Sequence, residues 1–276
     1  MDHVIFREGT RLSYERRGSG PLVVLVQGLW LSGRMWLQLP GGLVKSGFTV
    51  LTPDNRGTGR SDAPPPPYTM GQMADDLAAV IRDAGGGPAI VVGISLGGMV
   101  CQHLALRHPD LVAALVLAAT TCGPPFGRPP GLRVAWTLLR SARGSPRAVQ
   151  RVRALLVHPD TLARNPHLFD QWERVMREEP LRWRGHLGQI LAVGLHSTGL
   201  WLGRIRCPTV VITGADDRIV HPVNSRILAA RIPDAELVML ERAGHAFPLE
   251  HPGALPAAIR RARARAEARQ TLVGSV

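Results

Sequence analysis

Cysteine, tyrosine and lysine are scarce in this 276-residue sequence, which carries three Cys, two Tyr (Tyr14 and Tyr68) and a single Lys, Lys45. Cys101, Cys122 and Cys207 lie far apart in apolar surroundings, without metal-ligand spacing. That pattern argues against a disulfide framework and a zinc site and leaves buried thiols. No metal and no cofactor are expected. Long apolar runs are missing as well. Nothing approaches the roughly 20 residues of a membrane-spanning helix, and Met1-Asp2-His3-Val4 reads as the start of a strand rather than of a signal peptide. The expectation is a soluble cytoplasmic protein without a membrane partner.

Acidic residues are few, 21 against 33 basic ones, for a net charge of +12. Such an excess invites a nucleic-acid reading, so its distribution matters. Residues 123–203 hold 12 Arg against five acidic residues, residues 257–276 hold five Arg against one Glu, and the remainder is close to neutral. No recognition motif or aromatic platform interleaves with these arginines, so nucleic acid is not an expected partner. Arg makes up 32 of the 33 basic residues beside abundant Ala, Gly and Pro, which fits a coding bias. An anionic substrate or an acidic partner protein stays open for the basic stretches.

What the sequence does contain is Gly93-Ile94-Ser95-Leu96-Gly97, set between the apolar run Ala89-Ile90-Val91-Val92 and a helical pattern through Met99, Val100, Leu104 and Leu106. This reads as strand, sharp turn, helix. An abrupt reversal brings the flanking backbone close together, which favours Gly two residues before and after the turn. Ser95 would then stand exposed at a helix N-terminus, where unpaired N–H groups and the helix dipole favour negative charge. The plainer alternative is a Ser N-cap after a buried strand.

Around this motif the chain alternates strands and helices. Val4-Ile5-Phe6 and Leu12 to Glu15 flank Glu8-Gly9-Thr10 as a hairpin, and Leu22–Val26 and Phe48–Thr52 read as buried strands. Pro64 to Pro67 reads as an extended polyproline connection, followed by helical spacing through Met70, Met73, Leu77, Val80 and Ile81. Leu111 to Ala119, Pro208 to Thr213 and Glu236 to Leu240 are further strands. From Thr121 to about Arg204 there are only Pro-punctuated helical patterns, holding Trp136, Trp172, Trp183 and Trp201. Such alternation predicts an α/β fold with a doubly wound, mostly parallel sheet, whose chemistry gathers at the carboxyl ends of the strands. Ser95, Gln27-Gly28, Asp54, Asp217 and His245 all follow predicted strands directly.

A serine hydroxyl is a weak nucleophile near neutral pH and needs a base, which in turn needs an orienting acid. Among ten histidines His245 alone sits in a Gly-His pair directly after a strand. His103, His108, His158, His167 and His186 lie in helical patterns, and His221 and His251 are the competitors. Asp216 and Asp217 are both candidates for the acid, with Asp217 preferred because it stands three residues past Gly214. The order Ser, Asp, His is that of α/β-hydrolases. The backbone N–H groups of Leu96 and Leu29 are the expected oxyanion donors.

On these residues the chain resembles the α/β-hydrolase superfamily over nearly its whole length. The resemblance rests on Gln27-Gly28-Leu29, the loop from Asp54 to Asp62, the elbow Gly93 to Gly98, the acid loop Gly214 to Asp217, and Gly244-His245. Gln27 departs from the usual His of the first loop. Within the superfamily the pattern is similar to small cytoplasmic carboxylesterases, including methylesterases that tailor aromatic polyketides, and less closely to enol-lactonases. Ser95 argues against haloalkane dehalogenases and epoxide hydrolases, which use Asp there, and the two tyrosines leave an epoxide unactivated. The resemblance implies an eight-stranded sheet, core segments at 1–122 and 204–276, and a helical cap at 123–203. It implies a serine hydrolase, monomeric or homodimeric, cleaving an ester of a small hydrophobic or aromatic carboxylic acid through an acyl-enzyme. Gln27, Trp30, Trp136, Trp172 and Trp183 would contact that substrate. A thioesterase, a lactonase, a carbon–carbon hydrolase, a non-hydrolytic cyclase or lyase, and a ligand binder without turnover stay open as alternatives.

Overall fold

The computed structural model describes residues 2–141, 146–179 and 182–274. Its strands are β1 (Asp2–Arg7), β2 (Thr10–Arg17), β3 (Leu22–Val26), β4 (Thr49–Pro53), β5 (Ala89–Ile94), β6 (Val112–Ala118), β7 (Thr209–Gly214) and β8 (Ala235–Leu240). Its helices are α1 (Leu39–Lys45), α2 (Met70–Asp83), α3 (Leu96–Arg107), α4 (Leu132–Ser141), α5 (Pro146–Leu156), α6 (Pro159–Arg164), α7 (Asp170–Glu178), α8 (Trp183–Gly194), α9 (Val223–Arg231), α10 (Phe247–Glu250) and α11 (Ala254–Gly274). All the strands join one sheet in the order β1-β2-β4-β3-β5-β6-β7-β8, and β2 runs against the rest. The predicted hairpin forms around Glu8 and Gly9, whose positive φ values of 48° and 73° suit the twist of a two-residue turn.

The continuous apolar runs become strands buried on both faces, since successive side chains point to opposite sides. Val24, Val26, Val91, Leu115, Leu117 and Val211 pack against α2, α3 and α9. Val23, Leu25, Val92, Val116, Val210 and Ile212 pack on the other side against α1 and α11. Helix α2 starts where the Thr69 hydroxyl accepts the Gln72 N–H at 3.1 Å, and it buries Met73, Leu77, Val80 and Ile81 at helical spacing. Helix α11 turns Ile259, Ala262 and Ala266 to the sheet, while Arg261 and Arg265 pair with Glu236 and Asp234. Part of the C-terminal charge is thereby spent on the chain itself.

Pro64 to Pro67 departs from the expectation of an extended run. The chain bends at 65–66, and the Tyr68 hydroxyl donates back to the Pro64 carbonyl at 2.7 Å. A buried phenol needs an acceptor, and this one folds the segment over.

The loop after β4 carries a buried ion pair. Arg56, only 3% exposed, places Nε 2.5 Å and Nη2 2.7 Å from the two Asp76 oxygens, and Arg7 adds a contact at 3.1 Å. Removing one partner strands a buried charge, which costs far more than the pair contributes. Asp76→Ala should therefore lower stability by about 3–5 kcal/mol, read from the urea midpoint, whereas Arg56→Met with Asp76→Leu should lose markedly less.

Helices α4 to α8 enter between β6 and β7 as an insert. Helix α8 is amphipathic in an inverted sense, burying Gly185, Gly188, Gln189 and Ala192 and exposing Trp183, Leu187 and Leu191. Its glycines allow backbone approach. A Cβ on Gly185 would lie 2.2 Å from the Gly57 carbonyl oxygen, and one on Gly188 would lie 2.5 Å from the Tyr68 ring. Just beyond α8, His196 meets His103 of α3 with ring centroids 5.5 Å apart, and its Nε2 lies 3.0 Å from the Thr121 carbonyl oxygen.

Burial pulls both imidazoles down to about 4; the Arg107 charge pushes His103 the same way and Asp75 opposes it, while at His196 the Thr121 carbonyl opposes and His103 assists. An unfolded chain titrates its histidines near about 6.5 and so takes up these protons first. Their contribution is complete above that pH and is lost as pH falls toward 4, to the extent of roughly 3 kcal/mol per group. Melting curves between pH 7 and 5 should show this slope, and the double variant His103→Gln, His196→Gln should flatten it.

Candidate active site

Ser95 stands between β5 and α3 with φ 54° and ψ −119°, a left-handed conformation that a non-glycine residue keeps only when its surroundings hold it. Its N–H donates to the Ala118 carbonyl at 2.9 Å, and its carbonyl accepts from the Thr120 hydroxyl at 2.7 Å. The flanking glycines are required by contact: a Cβ on Gly93 would lie 2.4 Å from the Gly97 carbonyl oxygen, and one on Gly97 would lie 2.2 Å from that of Val26. The Ser95 side chain makes no capping bond to α3. The side-chain capping alternative for this serine therefore fails, and the residue is partly exposed at the helix N-terminus.

Asp217 and His245 come together from the loops that follow β7 and β8. His245 Nδ1 lies 2.8 Å from Asp217 Oδ2, with the carboxylate side chain fully buried and the imidazole 10% exposed. Asp217 Oδ1 accepts the N–H groups of Ile219 and Val220, both at 2.8 Å, so the carboxylate is oriented at each oxygen. The neighbouring Asp216 faces solvent and lends its N–H to the Ala243 carbonyl at 2.9 Å, stitching the acid loop to the base loop. Ser95 opens from the same carboxyl edge, with β6 between its strand and β7. Among the described residues no hydrogen bond joins Ser95 to His245, a link that is commonly looser before substrate binds.

The loop after β3 passes beside the nucleophile position: a Cβ on Gly28 would lie 3.4 Å from the Ser95 Cβ. Gln27, which stands where the superfamily usually has His, is buried, and its Oε1 accepts the Gly28 N–H at 2.9 Å. It holds the loop from within. Asp54 also fastens this region, accepting the Gly33 N–H at 2.8 Å and the Arg60 N–H at 2.9 Å; burial pushes its carboxyl up, against those bonds. Leu96 is the first residue of α3, so its N–H lies ahead of the intrahelical ladder.

The tryptophans sit in different surroundings. Trp30 stacks on His186 at 5.0 Å and donates its indole N–H to the His186 carbonyl at 3.3 Å. Trp172 packs edge-on against Phe169 in a cluster that includes Ala246, next to His245. Trp136 on α4 and Trp183 on α8 are 59% and 64% exposed, Trp183 because α8 turns its glycine face inward. His221 accepts the Val223 N–H at 3.2 Å at the start of α9, whereas the contact to Asp217 Oδ2 is made by His245.

Two buried-side positions escaped sequence reasoning. Glu250 accepts the Gly244 N–H at 2.6 Å and the His158 N–H and Thr161 hydroxyl at 2.8 Å, tying the base loop to α6. Gln189 ties α8 to the loop after β3. The only signal for either was a polar residue at an otherwise apolar or small-residue position.

The family profile described as alpha/beta hydrolase fold matches residues 21–252. A Pseudomonas syringae pv. syringae protein named as a carbamate hydrolase, RutD, is 33% identical over 240 residues, covering 86% of this chain and 91% of its own. A pimeloyl-[acyl-carrier protein] methyl ester esterase of Chromobacterium violaceum is 34% identical over 252 residues, covering 87% and 93%. The crystal structure of the enol-lactonase from Burkholderia xenovorans superposes with a TM-score of 0.83 at 26% identity, over 95% of this chain and 100% of that one. Sheet order, elbow and kinship agree: the chain belongs to the α/β-hydrolase family, and is a hydrolase.

Proposed function

We propose that the protein is a cofactor-independent serine hydrolase acting on an ester of a small hydrophobic or aromatic carboxylic acid. Ser95 Oγ attacks the carbonyl carbon as its proton passes to His245 Nε2, and Asp217 holds Nδ1–H and stabilises the imidazolium. The proton then goes to the leaving alkoxide, and water, deprotonated by the same imidazole, releases the acid from the acyl-enzyme. Leu96 N–H and Leu29 N–H receive the oxyanion in both halves. The observation that carries this reading is the 2.8 Å Asp217–His245 contact on the carboxyl edge from which the Ser95 elbow rises.

Residues 123–203 act in this reading as a cap on a core of 1–122 and 204–276. Contacts from the end of α7 and from α8 to the loop after β3 support that division: Arg34 pairs with Glu178 at 2.5 Å, Ser32 bonds Glu179, and Gln189 accepts the Trp30 N–H at 2.9 Å. The relatives are named for a carbamate, a methyl ester and an enol-lactone, each a carbonyl compound bearing a heteroatom on the carbonyl carbon.

A fluorophosphonate probe should label wild-type protein at Ser95 once per chain. A panel of p-nitrophenyl esters, acyl thioesters and lactones should be hydrolysed with the esters fastest. Absence of labelling in folded protein would sink the reading, and a thioester or lactone preference would move the substrate class.

A further inference from the structure

Gln189 is fully buried, 0% exposed, although it belongs to an inserted helix whose opposite face is open to solvent. Both ends of its amide are committed to backbone of the core. Oε1 accepts the Trp30 N–H at 2.9 Å, and Nε2 donates to the Arg56 carbonyl at 2.9 Å. Those two groups lie on the loops leaving the neighbouring strands β3 and β4. One side chain therefore bridges the two loops.

The bond to Trp30 matters because of what precedes it. Trp30 is held at φ 66°, in the left-handed region that a bulky residue leaves unless its neighbours over-determine it. Three successive peptide groups are pinned in this loop. The Gly28 N–H is bound by Gln27 Oε1 at 2.9 Å, the Gly28 carbonyl accepts the Leu31 N–H at 3.2 Å, and the Trp30 N–H is bound by Gln189. Peptides are planar and trans, so fixing the Gly28 carbonyl directs the Leu29 N–H the opposite way. Among the described residues that N–H has no internal acceptor.

We infer that Gln189 is a positioning residue for the oxyanion loop, reaching from the insert to hold the Leu29–Trp30 peptide so that the Leu29 N–H stands preorganised beside Ser95. The inference rests on the serine-hydrolase reading. An amide is needed because the two partners are one donor and one acceptor, which an ionised Glu or an apolar residue cannot both serve. The close approach of Gly185 to Gly57 sets α8 at the height where this reach is met.

Gln189→Met keeps the length without hydrogen bonding, and Gln189→Glu keeps the shape. Turnover of a p-nitrophenyl ester is measured per fluorophosphonate-titrated site, alongside the affinity for a trifluoromethyl ketone that forms an oxyanion on Ser95. In Gln189→Met, kcat per titrated site should fall about 10- to 100-fold with KM within about threefold, and ketone affinity should fall in parallel. In Gln189→Glu, the protonated carboxyl can both accept and donate, so activity relative to wild type should be highest at acid pH and fall as pH rises. A purely structural role would reduce the number of titratable sites and leave kcat per site within twofold, with a pH-independent Glu-to-wild-type ratio; that result overturns the inference. Equal activity of wild type and Ser95→Ala would instead remove the serine reading itself, and the inference with it.

Discussion

Ser95→Ala should fold with unchanged stability and lose ester hydrolysis by about 10⁴- to 10⁶-fold in kcat. The two halves of this result separate the roles a serine could have at this position. A serine capping α3 would cost about 1 kcal/mol when replaced by Ala, but Ser95 makes no capping bond, so removing its hydroxyl leaves no N–H orphaned. The methyl of Ala occupies the same left-handed backbone position at φ 54° as the serine Cβ, and the Gly93–Gly97 contact that shapes the turn does not involve the hydroxyl. In the proposed reaction, what disappears is the attacking oxygen. The proposed oxyanion donors remain, which is why a residual rate above that of water is expected. Thermal melts and p-nitrophenyl ester kinetics on one preparation check both halves. A melt lowered by the amount of a lost cap, with activity retained, would return Ser95 to a structural role.

Asp217→Asn should keep the fold and lower kcat/KM by about 10⁴-fold, while Asp216→Asn stays within twofold of wild type. The Asp217 carboxylate receives three hydrogen bonds, two at Oδ1 from the Ile219 and Val220 N–H groups and one at Oδ2 from His245. The two backbone donors demand an oxygen, so the Asn amide is forced to turn its NH2 toward His245. An imidazole facing that donor must accept at Nδ1 and carry its proton on Nε2, the atom that takes the serine proton in the proposed mechanism. The nucleophile is then present without a base. Asp216 is exposed, and its backbone N–H is the group that contacts the base loop, so its carboxylate is dispensable. Asp217→Ala would in addition leave buried N–H groups unpaired and lose stability, which makes Asn the cleaner variant.

Much of this architecture was readable from residue order. Continuous β-branched runs such as Leu22–Val26 and Thr209–Gly214 became central parallel strands, because only a sheet covered on both faces buries every residue of such a run. Gly93 and Gly97 announced the elbow for a steric reason that the contacts repeat, and Gly-His after a predicted strand marked His245. The gain from structure lies in pairings between distant segments. Adjacent aspartates have the same chemistry in sequence, and the choice of Asp217 depends on which carboxylate turns inward to meet a residue 28 positions away. The tryptophans of the insert read alike, yet Trp172 is packed beside the base loop and Trp183 is turned to solvent by the glycine face of α8.

Local sterics and apolar periodicity act over a few residues and are written in the chain itself, so the strands, the turns and the positions of Ser95 and His245 at strand ends follow from sequence. The support of those residues is non-local. Gln189 reaches Trp30 across 159 positions and Glu250 reaches the His158 N–H across 92. A polar side chain gains such a partner only once the sheet order and the packing of the insert have brought the two backbones together, and no short-range pattern carries that information.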